Sequence, residues 1–327
     1  MRLERTAPAE AHPLRACELP DPEPGPGELR VRVEVCGVCR TDLHVIEGDL
    51  VPQRESVIPG HQIVGRVEGW GEGVDDFAEG DRVGIPWLHR ACARCRYCVR
   101  GDENLCSDPL FTGWHRNGGY AEWVVAPAAF VYRLPASLSA RDTAPLLCAG
   151  IIGYRAFRRS RIRSGQRLGL WGFGGSAHLV IQIARHAGCE VFVFTRAHAE
   201  LARELGAVWV GASEEASPEP LDAGILFAPA GELVPAALQQ LDRGATLAIA
   251  GIHLSDVPPL HYQRDLFQER TLTSVTANTR EDGRALLELA AEIPLRAHTT
   301  AYRLEDANQA LVDLKQDRVQ GAAVLEL

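Results

Sequence analysis

Lysine is almost missing from this chain: of its 34 lysines and arginines, only Lys315 is a lysine. Acidic residues number 43, and the resulting net charge of −9 leaves no concentrated basic surface for a phosphate backbone. A nucleic-acid groove is therefore excluded, and the one locally basic stretch, from Arg158 to Arg167, reads as a solvated loop. No apolar run approaches the ~20 residues that span a bilayer, so no membrane partner is expected. The N-terminus is charged and carries proline without an apolar signal segment, which points to a cytoplasmic chain. Internal repeats, biased tracts and disordered linkers are absent too. What remains is globular in composition, 46% hydrophobic and 24% charged, and 327 residues suffice for two domains with separate cores.

Cysteine is what the chain does have, nine residues of it. Cys92, Cys95, Cys98 and Cys106 follow a C-x2-C-x2-C-x7-C spacing, a set of soft ligands able to close a tetrahedron around one zinc ion. A disulfide or a redox sensor is the alternative, disfavoured in a reducing compartment. Cys17, Cys36 and Cys189 are scattered and are expected to be small buried hydrophobes.

The texture of the chain changes along its length. Leu29, Val31, Val33 and Val35 alternate with Arg30, Arg32 and Glu34, the period of a half-buried strand. Glycine and proline then punctuate the sequence to about residue 135, as in a β-rich lobe. From about residue 165, apolar runs (Leu168–Phe173, Val191–Phe194, Val208–Val210, Ile225–Phe227, Thr246–Ile249) alternate with helical stretches. That alternation implies a parallel, doubly wound α/β sheet. Ser176–Ala187 carries a helical stripe of Leu179, Val180, Ile183 and Ala184, with Gly188 suited to its C-terminal end. One or two further helices and a final strand, Ala322–Leu327, are expected after about residue 277.

Gly172, Gly174, Gly175, Ser176 and Ala177 form a glycine-rich turn between a strand and a helix, fitting G-x-G-x-x-A in its required context. Gly172 permits the tight turn, Gly174 admits a pyrophosphate to the backbone, and Ala177 lets helix and strand approach. The next strand ends at Thr195 and Arg196. No carboxylate stands there for a ribose 2′-hydroxyl, whereas Arg196 suits a 2′-phosphate, so NADP is favoured over NAD; a capped strand end is the plainer reading of Arg196.

With Gly37-Val38-Cys39-Arg40-Thr41-Asp42-Leu43-His44, Pro59-Gly60-His61, the four-cysteine lobe, Leu147-Cys148-Ala149-Gly150 and the glycine turn in one order, the chain resembles the zinc-dependent alcohol dehydrogenases of the medium-chain dehydrogenase/reductase superfamily. The resemblance covers nearly the whole length. It implies a Rossmann-type dinucleotide domain over residues 150–277 and a β-rich, GroES-like catalytic domain over 1–149, completed by 278–327, with the active site in the cleft between them. It implies two zinc ions: a structural one on Cys92, Cys95, Cys98 and Cys106, and a catalytic one on Cys39, His61 and Cys148. Cys2His suits that second role, because it leaves one position open and its thiolates offset the metal charge. By the same resemblance, Thr41 touches the substrate oxygen and His44 ends a proton relay that runs through the nicotinamide ribose. Arg40 clamps the pyrophosphate, the backbone near Ile252, Val275 and Ala277 holds the carboxamide, and Leu50 and Trp87 line the substrate pocket. Asp42 either orients His61 or caps the helix that starts there.

Gln62 departs from the pattern, since relatives carry a glutamate after the ligand histidine. Relatives often carry a terminal arginine on the pyrophosphate, where this chain has Gly321-Ala322-Ala323; Arg280 is a weak substitute, better read as a solvated helix start. The expectation is an NAD(P)-dependent oxidoreductase of medium primary alcohols and their aldehydes, and a homo-oligomer. A polyol or amino-acid-alcohol dehydrogenase of the same superfamily, or a non-catalytic zinc and NADPH sensor, stays open.

Overall fold

A computed structural model describes residues 1–293 and 295–327 of the chain. It divides into two compact units, Met1–Ile151 with Ala277–Leu327, and Ile152–Thr276.

In the first unit the alternating segment becomes the long strand Glu28–Val38, with Leu29, Val31, Val33 and Val35 buried. It is the hub of a seven-stranded sheet. On one side it pairs antiparallel with Ala322–Glu326, which in turn runs parallel to Thr299–Arg303; on the other it pairs with Ile63–Trp70, then Arg82–Ile85 and Tyr132–Arg133. The chain end thus returns to the N-terminal half: Ala323 lies opposite Val38, one residue before Cys39. Two register shifts bend the pairing of Glu28–Val38 with Ile63–Trp70 just ahead of the residues that carry the chemistry. A second, small sheet of Leu88–Arg90 and Leu110–Phe111 supports the four-cysteine lobe.

The second unit is a six-stranded parallel sheet. In space its strands run Trp209–Gly211, Glu190–Phe194, Arg167–Trp171, Leu221–Leu226, Leu241–Ile249 and Thr271–Ser274. Read in chain order this is 3-2-1-4-5-6, the doubly wound arrangement whose ligands sit beyond the carboxyl ends of the strands. The Trp171 indole decides the packing of the central pair. Gly169 lies opposite Gly224, and a Cβ on either would meet the indole at 2.6 or 2.7 Å, so both positions exclude side chains. Trp171 then stacks on Phe194 at 4.4 Å. The helix Ala177–His186 buries Leu179, Val180, Ile183 and Ala184, and Gly188 (φ +80°) ends it in the left-handed region. Thr271–Ser274 is an edge strand whose short, polar sequence gives no periodic signal. Among the described residues no helix is long and apolar enough to cross a membrane.

Candidate metal centres and dinucleotide turn

The helix Arg40–Glu47 starts at Cys39, whose extended backbone and side-chain sulfur cap it. Thr41 N donates to Cys39 Sγ at 3.3 Å, and Cys39 N donates to Asp42 Oδ2 at 2.9 Å, which completes a capping box. The other carboxylate oxygen faces away from the helix. Asp42 Oδ1 accepts from Gly60 N at 3.2 Å and lies 3.1 Å from His61 Nδ1. Both roles foreseen for Asp42 are therefore filled at once, one by each oxygen.

Gly60 holds His61 in place. Its φ of +97° and the closeness of the Tyr120 ring, 2.5 Å from an added Cβ, leave no room for any other residue. With Nδ1 on Asp42, His61 turns Nε2 to Cys39 Sγ, 3.2 Å away. Cys148, at the junction of the short helix Ala144–Leu147 and the helix Ala149–Ser160, supplies the third donor. The donor atoms of Cys39, His61 and Cys148 all lie within 4.8 Å of one another. A tetrahedral zinc site with bonds of ~2.0–2.3 Å has edges of about 3.5–3.8 Å, so small adjustments of this set close it around an ion.

The electrostatics of the donors fit the same occupant. Burial opposes ionisation of Cys39, but the Cys148 thiol and the His61 ring outweigh it and hold Cys39 well below the ordinary thiol range. Cys148 is driven well above that range, first by its hydrogen bond to Cys39 and then by burial. His61 is fully buried, which disfavours its charge, yet the Cys39 thiolate and Asp42 raise it to about 10. One sulfur anion is as much as the three donors carry by themselves. A second thiolate and a neutral imidazole require a dication among them.

The four-cysteine lobe forms a second such cluster, its sulfurs also within 4.8 Å of one another. Cys95 and Cys98 stand 3.5 Å apart and Cys92 and Cys98 4.0 Å, close to the ~3.8 Å edge of a tetrathiolate zinc site. All nine cysteines are free thiols. Backbone N–H groups of Cys98 and Ser107 pull Cys95 down to about 5, whereas burial and the neighbouring sulfurs push Cys98 up to about 12. The lobe's apolar core is small (Leu88, Ala91, Cys106 and Phe130), so four sulfurs without an ion are a poor staple. Cys36 and Cys189 are buried as expected, but Cys17 is exposed, on a segment without helix or strand.

Other expected site residues take their places in the first unit. Thr41 is buried beside Cys39. One turn further, His44 Nδ1 meets Asp49 Oδ2 at 2.8 Å. Leu50 packs at the edge of the main core. Trp87 sets its edge against the His61 ring at 4.9 Å, in a T-shaped contact. Two residues not foreseen extend it: Phe111 and Trp114 stack on Trp87 at 4.8 and 6.0 Å, and Trp114 Nε1 donates to Val51 O at 3.0 Å. Gln62 is buried and packs where a Cβ on Gly37 would stand. Arg40 Nη2 meets Asp317 Oδ1 at 2.5 Å. Arg280 is neither a solvated residue nor free to grip a pyrophosphate: its guanidinium forks onto the Glu103 carboxylate at 2.9–3.1 Å and covers the Phe130 ring.

In the second unit the glycine turn joins the strand Arg167–Trp171 to the helix Ala177–His186. Gly172 has φ +88°, and a Cβ there would press on the Ala228 backbone at 2.9 Å. A Cβ on Gly174 would meet nothing within 4 Å, open space of the kind a phosphate fills. Gly175 and Ser176 lead into the helix, and Ala177 is wholly buried. Thr195 Oγ1 donates to Ala197 O at 2.6 Å, and Arg196 beside it is exposed. Ile252 and Val275 follow the carboxyl ends of the strands Leu241–Ile249 and Thr271–Ser274. Ala277, with φ +46°, is the first residue back in the other unit, to which Arg40 also belongs.

Comparison with known proteins identifies the family. Residues 25–136 match the alcohol dehydrogenase GroES-like domain, and residues 175–292 match the zinc-binding dehydrogenase family. The chain is 52% identical over 331 residues to the probable alcohol dehydrogenase AdhA of Mycobacterium tuberculosis, covering 99% of this chain and 96% of that protein. It is 34% identical over 325 residues to an alcohol dehydrogenase of Geobacillus stearothermophilus, covering 96% of each. Its fold superposes with a TM-score of 0.90 on a cobalt- and zinc-bound thermostable alcohol dehydrogenase from Pyrobaculum aerophilum, 26% identical, covering 100% of this chain and 98% of that one.

Proposed function

The chain belongs to the zinc-type alcohol dehydrogenases of the medium-chain dehydrogenase/reductase superfamily, and from that premise we propose how its residues divide the work. It is an oxidoreductase that interconverts small alcohols and carbonyl compounds with zinc and a nicotinamide cofactor. In this reading two zinc ions bind per chain, one at each donor cluster. The observation that carries it is the convergence of Cys39 Sγ, His61 Nε2 and Cys148 Sγ, with His61 Nδ1 tied to Asp42.

Zinc on Cys39, His61 and Cys148 supplies a Lewis acid with an open position, which acidifies an alcohol and polarises a carbonyl. A nicotinamide supplies the hydride acceptor or donor. The remaining tasks fall to the chain itself. Asp42 fixes the His61 tautomer by accepting from Nδ1, which leaves the Nε2 lone pair for the metal. Thr41 accepts the proton of the substrate hydroxyl on its side-chain oxygen as it gives up its own, and His44 stands at the outer end of that relay. His44, its Nδ1 held by Asp49, releases that proton to water. Trp87 and Leu50 keep the pocket apolar, which suits medium primary alcohols and their aldehydes. Cys92, Cys95, Cys98 and Cys106 use every ligand position on their ion and serve the fold.

Gly172, Gly174, Gly175, Ser176 and Ala177 receive the pyrophosphate, Arg40 clamps it, and Ile252, Val275 and Ala277 offer backbone groups to the carboxamide. NADP is the proposed partner, because exposed Arg196 is the charged group at the strand end and Thr195 spends its hydroxyl on Ala197. A homo-oligomer is supported by apolar residues left open in the second unit: Ile252 at 52%, Tyr262 at 61% and Phe267 at 51% exposure, near the edge strand Thr271–Ser274. The test is the change in nicotinamide absorbance with a panel of aldehydes, run separately with NADH and NADPH. Turnover of medium aldehydes, faster with NADPH, is the expected result. Purified protein that holds zinc and turns over no aldehyde or alcohol would overturn the proposal.

A further inference from the structure

The helix Arg40–Glu47 carries its outermost charges against its own dipole. Arg40 is its first residue, where a cation is disfavoured, and Glu47 its last, where an anion is disfavoured. Both are compensated from one place, the end of the helix Ala307–Lys315. There Lys315 Nζ meets Glu47 Oε1 at 2.8 Å and Glu10 Oε2 at 2.9 Å, and Asp317 Oδ1 meets Arg40 Nη2 at 2.5 Å. Lys315, the single lysine of the chain, serves the fold. Asp317 is different, because its partner is the guanidinium read above as the pyrophosphate clamp. Asp317 also sits in the left-handed region, φ +54°, a conformation that aspartate and asparagine tolerate best among residues with side chains.

In the structure one guanidinium nitrogen of Arg40, Nη2, is spent on Asp317 Oδ1, so a phosphate that takes the whole N–H fork has to win that nitrogen back. We propose that Asp317 is a built-in competitor for Arg40, a carboxylate that the diphosphate of the nicotinamide dinucleotide must displace as it binds. The proposal rests on the reading of Arg40 as the clamp. Both side chains are about half exposed, 46% for Arg40 and 61% for Asp317, so the exchange takes place in water and the pair is a weak lock. Its effect is to loosen cofactor binding modestly and speed cofactor departure, a release step of the kind that limits turnover in many enzymes.

The test is NADPH titration of the zinc-loaded protein, followed by fluorescence, for wild type, Asp317→Asn, Arg40→Ala and the double variant. Asparagine keeps the shape and the left-handed backbone while removing the charge. Asp317→Asn should tighten NADPH about two- to fivefold, with a lower KM for NADPH and an unchanged or lower kcat. The gain should vanish in the Arg40→Ala background and shrink as salt is raised. Glu305→Gln removes an exposed charge that pairs with Arg303, and should leave the affinity unchanged. Wild-type affinity in Asp317→Asn, beside a weakened Arg40→Ala, overturns the competitor alone. Wild-type affinity in Arg40→Ala overturns the clamp and the competitor with it. A gain that persists without Arg40, or that Glu305→Gln reproduces, reduces the effect to net charge and also overturns it.

Discussion

Asp42→Asn is the substitution that separates the two duties of one carboxylate. In the native arrangement Oδ2 accepts from Cys39 N, and Oδ1 accepts from Gly60 N and sits on His61 Nδ1. An amide of the same shape has one oxygen and one NH2. If its oxygen stays on His61, the NH2 faces the Cys39 N–H and the helix cap is lost, at a cost of about 1 kcal/mol. If it turns over, the NH2 faces His61 Nδ1 and Gly60 N. His61 must then move its proton to Nε2, the nitrogen meant for the metal, and Gly60 N loses its buried acceptor, which costs about 1–3 kcal/mol. Neither orientation keeps everything. Loss of such an outer partner typically weakens a metal about ten- to a hundredfold, or about 1.4–2.7 kcal/mol. The assay is zinc per chain after equilibration with graded chelator, read beside thermal denaturation. The variant should lose one zinc at chelator concentrations where wild type keeps both, retain the lobe zinc, and melt lower. An Asp42→Asn protein with wild-type chelator resistance and kcat refutes the reasoning.

Three further outcomes follow from the same structure. Arg196→Asp should raise the NADPH KM about ten- to a hundredfold and improve NADH use, since a charge-assisted contact to a 2′-phosphate is worth about 1.5–3 kcal/mol; an unchanged NADPH-to-NADH ratio contradicts it. His44→Gln should lower kcat about tenfold or more, with recovery as imidazole buffer is added, whereas a loss that added buffer cannot restore would point to damaged packing instead. His89 is buried, and burial, followed by Arg116, Arg90 and His115, depresses it to about 4 from its ordinary 6.5. The fold favours the neutral ring, so this contribution is complete above pH ~6.5 and drains away as pH falls towards ~4, by up to about 3 kcal/mol. Denaturant melts of His89→Asn against wild type, in excess zinc at each pH, should converge as the solution is acidified; parallel curves would be evidence against it.

The four cysteines of the lobe were legible in the sequence because zinc chemistry restricts residue type and spacing together, whereas Cys39, His61 and Cys148 are scattered and were legible only through the family resemblance. The doubly wound sheet was legible because strands buried on both faces read as continuous apolar runs. What sequence could not supply were pairings across long separations. Glu103 and Arg280 are 177 positions apart and Arg40 and Asp317 are 277 apart, and no local pattern marks either. Arg280 therefore read as a solvated helix start although its guanidinium is forked onto the Glu103 carboxylate in a partly buried pair. The stack of Trp87, Phe111 and Trp114 escaped for the same reason, although two aromatics at 111 and 114 beside the lobe hinted at it. Asp42 posed two alternatives because a sequence shows one carboxylate, whereas the fold uses its two oxygens separately. Cys17 was misjudged because a small apolar side chain says little about burial when its segment lacks periodicity.

The central claim is that Cys39, His61 and Cys148 share one ion while the four-cysteine lobe holds another. Zinc per chain in purified Cys148→Ser, measured by elemental analysis beside wild type, tests it most directly. The account predicts two for wild type and one for the variant, which should stay folded and lose turnover. A variant that still carries two tightly held ions, or a wild type that carries one, would contradict it.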